Sequence, residues 1–184
     1  MSQLGRGLLL TLLLVAAGLV VLIGSRVWTA QSAEQGATPP LVVGQQLPAS
    51  ALVTPLAGAE AYPLSDEIVG VTVINYFGSW CRPCRSENPA LLELRTGGVR
   101  VIGVAVRDEP NAIQQFLDEL GNPFFRVLVD SEGASMQALG IGAEIPQTLV
   151  VSASGEVLQH HSGPLVGTDG EAALEEIREL AGPR

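Results

Sequence analysis

The sequence predicts an α/β domain, a central mixed β-sheet flanked by helices, preceded by an N-terminal membrane anchor helix. Three observations predict it. Short β-branched, apolar runs alternate with amphipathic segments, the pattern of parallel strands covered by helices. Two further apolar runs are joined by Ala153-Ser154-Gly155, which marks a hairpin and adds an antiparallel edge. Ahead of them stand the eighteen uncharged residues Gly7–Gly24, just long enough to cross a bilayer as a helix.

The N-terminal stretch has two readings. A cleaved signal peptide would have a shorter apolar region and small residues at −3 and −1 of its cleavage site. Ala30 and Ala33 offer −1 positions, but Trp28 and Gln31 occupy the −1 neighbours' −3 places. The balance favours an uncleaved anchor over residues 1–28, with the rest of the chain exported. Arg6 and Arg26 flank the apolar run on both sides, so the charge bias that sets orientation is slight. Residues 29–48 are polar, contain Pro and Gly and show no period, and are read as a linker. The domain is placed at residues 49–184, a size suited to one core.

Within the domain, Val71–Phe77 is a buried strand, apolar almost throughout except for Asn75. Leu91, Leu92 and Leu94 follow at helical spacing, Gly97-Gly98 ends that helix, and Pro89 lies inside it, where a kink is expected. Val99–Val106 is a second buried strand. Glu109–Gly121 is an amphipathic helix with Ile113, Phe116, Leu117 and Leu120 on one face. "FFRVLVD", ending at Asp130, is a third strand, and "ASMQALG" a short helix. "QTLVVS" and "EVLQHHS" form the hairpin. The last helix opens at Thr168, which with Glu171 has the spacing of a capping box.

Both cysteines, Cys81 and Cys84, lie where the first of these strands passes into a helix. Metal site, structural staple and redox centre are the three readings. Zinc needs four ligands, and besides two Cys the chain offers only His160 and His161, which alternate to opposite faces of a strand. A staple closing so short a loop restricts the unfolded chain little. A reactive thiol gains from the setting, because helix N-termini carry partial positive charge and unpaired N–H groups that favour thiolate. The residues favour redox chemistry: attack by Cys81, a mixed disulfide, then resolution by Cys84. Arg82 adds positive charge to that turn and Pro83 limits its conformations. Mixed α/β order with CxxC at the first strand–helix junction is the thioredoxin arrangement.

Glu87 sits one helical turn beyond Cys84. It is either an acid/base group for the resolving thiol or an ordinary acidic residue favoured by the helix dipole. Asn75 either hydrogen-bonds beneath the site or is a satisfied core amide. Trp80 is a client-contacting or partly exposed core aromatic. Ile145-Pro146 precedes a strand, where a cis peptide would suit a loop packed on the CxxC.

Charge excludes a further class. The net charge is −9, there is no Lys, and every Asp and Glu lies after residue 33. No basic patch exists to neutralise phosphates, so nucleic acid is not a partner.

"INYFGSWCRPCRSENPAL", "GVAVRDEPNAIQQFLDELGNPFFRVLVDSEG" and "IPQTLVVSASGEVLQHHSGPL" together resemble the membrane-anchored thioredoxin-like proteins of cytochrome c maturation, the CcmG/DsbE type, TlpA/ResA-like members of the thioredoxin superfamily. The similarity runs from about Gly44 to Leu180. It implies an extracytoplasmic, single-pass thiol:disulfide oxidoreductase with no cofactor. Its client would be apocytochrome c or a partner thiol protein, kept reduced for haem attachment, and its electron donor a membrane protein of the DsbD/CcdA type. The resemblance assigns Cys81 as attacking thiol, Cys84 as resolving thiol, Glu87 as acid/base group and Pro146 as a cis-proline. Asn75 stands where thioredoxins carry a buried Asp. The family places an acidic residue after its cis-proline, and here Gln147 stands there. Another TlpA/ResA-like protein with a different client, or a non-catalytic module with a structural disulfide, are the alternatives.

Overall fold

The computed structural model describes residues 40–58 and 60–182. Its strands are β1 (Leu52–Pro55), β2 (Tyr62–Pro63), β3 (Thr72–Phe77), β4 (Val101–Val106), β5 (Arg126–Asp130), β6 (Gln147–Val151) and β7 (Val157–Ser162). Its helices are α1 (Arg82–Thr96), α2 (Pro110–Leu120), α3 (Ala134–Leu139) and α4 (Gly167–Ala181), with a 3-10 turn at Leu64–Glu67. The strands form one sheet in the order β2-β1-β5-β4-β3-β6-β7. β3 pairs parallel to β4, and β4 to β5; β6 runs antiparallel to β3, and β7 antiparallel to β6. The expected mixed sheet is therefore present, with β4 at its centre and β3 beside it, between β4 and β6.

Strand alternation sorts the core onto two faces. Val73, Phe77, Val101, Ala105 and Val150 pack with Leu91 and Leu94 of α1, Ile113, Phe116 and Leu117 of α2, and Leu174 and Ile177 of α4. Ile74, Tyr76, Ile102, Val104 and Leu149 point the other way, toward Met136 and Leu139 of α3 and toward Val53 and Leu64. Asn75 shares the first face with Val73 and Phe77, so it points toward α1. Gly103 makes room there for Phe124: a Cβ would stand 2.7 Å from its ring. The Phe124 ring in turn stacks on Phe77 at 4.7 Å between centroids.

Several details differ from expectation. β1, β2 and the 3-10 turn were not foreseen, because four-residue and two-residue strands carry too little period to stand out from their Pro- and Gly-containing surroundings. α4 has no capping box. It begins at Gly167 after Val166, with no side-chain cap, which puts Thr168 inside the first turn rather than at its edge. The dipole is met instead by Asp169 in that turn. Pro89 lies inside α1, where the sequence places it. Residues at the end of the expected linker are bound to the domain: Gly44 N–H donates to Val157 O, Leu47 N–H to Gly155 O, and Leu47 is buried. The expected anchor helix falls outside the described residues. Among the described residues no helix is long and apolar enough to cross a membrane.

Candidate active site

β3 delivers the chain to one end of the sheet, where Gly78, Ser79 and Trp80 turn it into α1. Cys81 is the N-cap of that helix, with extended backbone (φ −84°, ψ 106°), and its Sγ accepts the N–H of Cys84 at 3.2 Å. A sulfur thus takes the place usually held by Ser or Asp, using an N–H the helix leaves unpaired. Pro83 fits the first turn because it needs no N–H partner there. Cys81 and Cys84 are joined by a disulfide, with Cα atoms 5.3 Å apart. Ile145-Pro146 is cis. The Ile145 carbonyl oxygen lies 3.7 Å from Cys81 Sγ.

Glu87, one helical turn beyond Cys84 on α1, has no exposed surface. Its Oε2 accepts the Leu165 N–H at 2.9 Å, and its Oε1 accepts Asn75 Nδ2 at 2.9 Å. The same Asn75 nitrogen donates to Thr148 Oγ1 at 3.1 Å, while Asn75 Oδ1 is buried with no partner. Burial pushes the Glu87 carboxyl up to about 7 from its ordinary 4.5, against the lowering effect of the Leu165 and Asn75 hydrogen bonds. A carboxyl with that value exchanges a proton near neutrality, which an ordinary surface glutamate does not do.

A CxxC disulfide at a strand–helix junction, a cis-proline loop against it and a buried carboxyl one helical turn beyond Cys84 make up the candidate dithiol centre. Residues 42–177 match the redoxin family. The chain belongs to that family. Among its curated relatives, the thiol:disulfide interchange protein HelX of Rhodobacter capsulatus is 36% identical over 156 residues, covering 83% of this chain and 85% of HelX. The DsbE homolog of Paracoccus denitrificans, also a thiol:disulfide interchange protein, is 35% identical over 145 residues, covering 77% and 78%. A solved secreted thiol-disulfide isomerase of Corynebacterium glutamicum superposes with a TM-score of 0.59 at 26% identity, over 76% of this chain and 84% of that one. This redoxin is a protein-disulfide oxidoreductase of the thiol:disulfide interchange type with a thioredoxin-like fold.

The fold brings Cys81, Cys84, Ile145 and Pro146 together at one end of the sheet, and Asn75 and Glu87 behind them. Arg82 and Pro83 are exposed on the first turn of α1. Trp80 is 57% exposed, although its Nε1–H donates to Val106 O at 3.3 Å. Exposure does not separate the two cysteines, at 3% for Cys81 and 2% for Cys84; the helix-cap geometry does, because only Cys81 Sγ receives the backbone N–H. His160 turns to Gln147, its Nε2 standing 2.7 Å from Gln147 Oε1, and Gln147 Nε2 donates to Glu144 O and Ser162 Oγ. Burial, then His161, lowers the His160 pKa.

Thr148, Leu165, Ser79 and Asp108 were missed. Thr148 could have been found, since it is two residues past Pro146 and therefore shares a strand face with it. Asp108 follows the carboxyl end of β4, the end at which parallel sheets carry their sites. Leu165 gave no signal, because its role is played by a backbone N–H.

Proposed function

We propose that the chain is an extracytoplasmic, membrane-anchored reductase whose client is apocytochrome c or a thiol protein of cytochrome c maturation. Cys81 is the attacking thiol, Cys84 the resolving thiol and Glu87 the acid/base group. Trp80, Arg82, Pro83, Ile145 and Pro146 shape the client side, and Asn75 holds Glu87. The observation that carries the thiol chemistry is the buried Glu87 carboxyl, which is suited to take and return one proton at neutral pH. The apolar run Gly7–Gly24 supports the anchor. The interchange proteins HelX and DsbE support the client class.

The cycle balances as follows. The Cys81 thiolate attacks a client disulfide, forms a mixed disulfide and expels one client thiolate. Cys84 gives its proton to the Glu87 carboxylate, and its thiolate attacks Cys81 Sγ. The second client thiolate leaves and the Cys81–Cys84 disulfide remains, the state seen here. The client has gained two electrons, and a membrane thiol donor of the DsbD/CcdA type restores the dithiol.

Gln147, in place of an acidic residue after the cis-proline, favours a second reading, in which the chemistry is the same and the client differs. Trapping separates the two. In cells, Cys84→Ala should accumulate mixed disulfides, and mass spectrometry should identify apocytochrome c or a maturation thiol protein in them. Trapped clients of another class would overturn the client assignment. An equilibrium potential near the oxidising end of the known span, about −120 mV, would overturn the reducing direction.

A further inference from the structure

The turn that carries Trp80 and Cys81 is held from outside by the end of β4. Asp108 Oδ2 accepts the Ser79 N–H at 2.5 Å, and Asp108 Oδ1 accepts the Ser79 hydroxyl at 2.9 Å and the Glu109 N–H at 2.9 Å. Two residues earlier, Val106 O accepts the Trp80 indole N–H at 3.3 Å. The last residues of β4 and the two that follow therefore grip consecutive residues of the turn, both immediately before the cysteine.

The grip depends on a backbone feature that is not free. Arg107 has φ +48°, and it is the one non-glycine residue in the left-handed region among the described residues. Such a residue persists only where its surroundings hold it, and these residues cluster at functional sites. Here the Arg107 N–H donates to Asp130 O at 3.1 Å, and the guanidinium lies over Gly133, where a Cβ would stand 2.6 Å from Nη2. The left-handed step separates Val106, whose carbonyl holds the indole, from Asp108, whose carboxylate holds Ser79. On the other side, Gly78 lets the indole fold back over the turn: a Cβ there would stand 2.9 Å from the Trp80 ring and 3.2 Å from Ile145 Cδ1. The indole thus lies between the cis-proline loop and the β4 elbow. Asp108 also lines a surface cleft of about 440 Å³ with Thr54, Leu56, Arg107 and Glu132, so the elbow lies at an open face.

We propose that Asp108 is a positioning residue for disulfide exchange with protein clients: it fixes the Ser79–Trp80 turn so that the exposed indole forms a defined wall of the client site beside Cys81. The reading rests on Cys81 being the attacking thiol. Small disulfides reach a thiolate without that wall, whereas a peptide must dock on it.

The test uses the reduced full chain with Trp28→Phe, which leaves Trp80 the sole tryptophan. Second-order rates are measured with a short disulfide-closed peptide and with oxidised glutathione. In Asp108→Ala the peptide rate is expected to fall about tenfold and the glutathione rate to change by less than about twofold, the range a small displacement of a positioning group produces. Asp108→Asn keeps a side-chain oxygen for the Ser79 N–H and removes the charge, so it is expected to recover most of the peptide rate. Because a disulfide quenches a neighbouring indole, the difference in Trp80 emission between oxidised and reduced protein should shrink in Asp108→Ala and persist in Asp108→Asn. If Asp108→Ala does not fold, Ser79→Ala, which removes one of the two bonds to Ser79, should show a partial loss on the peptide alone. Equal loss on both disulfides, or no loss on the peptide in the folded variants, would overturn the proposal. Failure of the underlying reading looks different: Cys81→Ala would retain exchange with either disulfide.

Discussion

Replacing Glu87 by Gln tests whether the buried carboxyl behaves as its surroundings require. In the folded protein the group titrates at about 7, and when unfolded at its ordinary 4.5. The folded value is raised, so the folded state binds the proton more tightly. Stability is then full below the unfolded value and is lost as pH rises through the window from 4.5 to about 7. Each unit of that window corresponds to about 1.4 kcal/mol, or about 3 kcal/mol in all. Gln carries no charge at any pH, so Glu87→Gln should lack this loss. Its oxygen can still accept the Leu165 N–H, and its amide N–H can be taken by Asn75 Oδ1, which has no partner now, once the Asn75 amide turns over. The substitution should therefore be near neutral at pH 4 and stabilising by about 3 kcal/mol at pH 8. The assay is urea unfolding of the oxidised protein from pH 4 to 9, parent against variant. Every other titrating group cancels in the difference. With a slope of about 2 kcal/mol per molar, the midpoints should separate by about 1.5 M at pH 8. Parallel curves across the range, or a parent that gains on the variant as pH rises, would show that burial does not raise the Glu87 carboxyl.

The other predictions concern three separate places. His160 has a lowered pKa from burial and His161, so its contribution is present above the ordinary value of 6.5 and lost as pH falls below it; His160→Gln should flatten the parent's thermal midpoint between pH 7 and 5 on that account. Arg107→Gly removes the cost of a left-handed side-chain-bearing residue (φ +48°) at some loss of backbone freedom, and should raise stability by about 0.5–1 kcal/mol in urea unfolding. Gly103→Ala places a Cβ 2.7 Å from the Phe124 ring and should destabilise by about 1–3 kcal/mol, read the same way.

How much of this was legible in the sequence follows from the range of each interaction. Cys81, Cys84 and Glu87 lie on one helix start, so spacing alone aligned them, and Asn75 was visible as the polar break in an apolar strand. The partners that define the site are remote. Thr148 is 73 positions from Asn75, Leu165 is 78 from Glu87, and Asp108 is 29 from Ser79. Such contacts are set by which strands become neighbours, and no local period records that. The capping box at Thr168 illustrates the converse error: the spacing was right, but the helix starts one residue before it, at Gly167. β1 and β2 escaped because strands so short are stabilised by β5 and by each other rather than by their own pattern.

In the proposed cycle Cys81 attacks and Cys84 resolves. The most direct measurement mixes each reduced single-cysteine variant with a disulfide-closed peptide and maps the products by mass spectrometry. Cys84→Ala should accumulate a mixed disulfide at Cys81, and Cys81→Ala should form none on the same timescale. A mixed disulfide forming through Cys84 as fast as through Cys81 would overturn that division of roles.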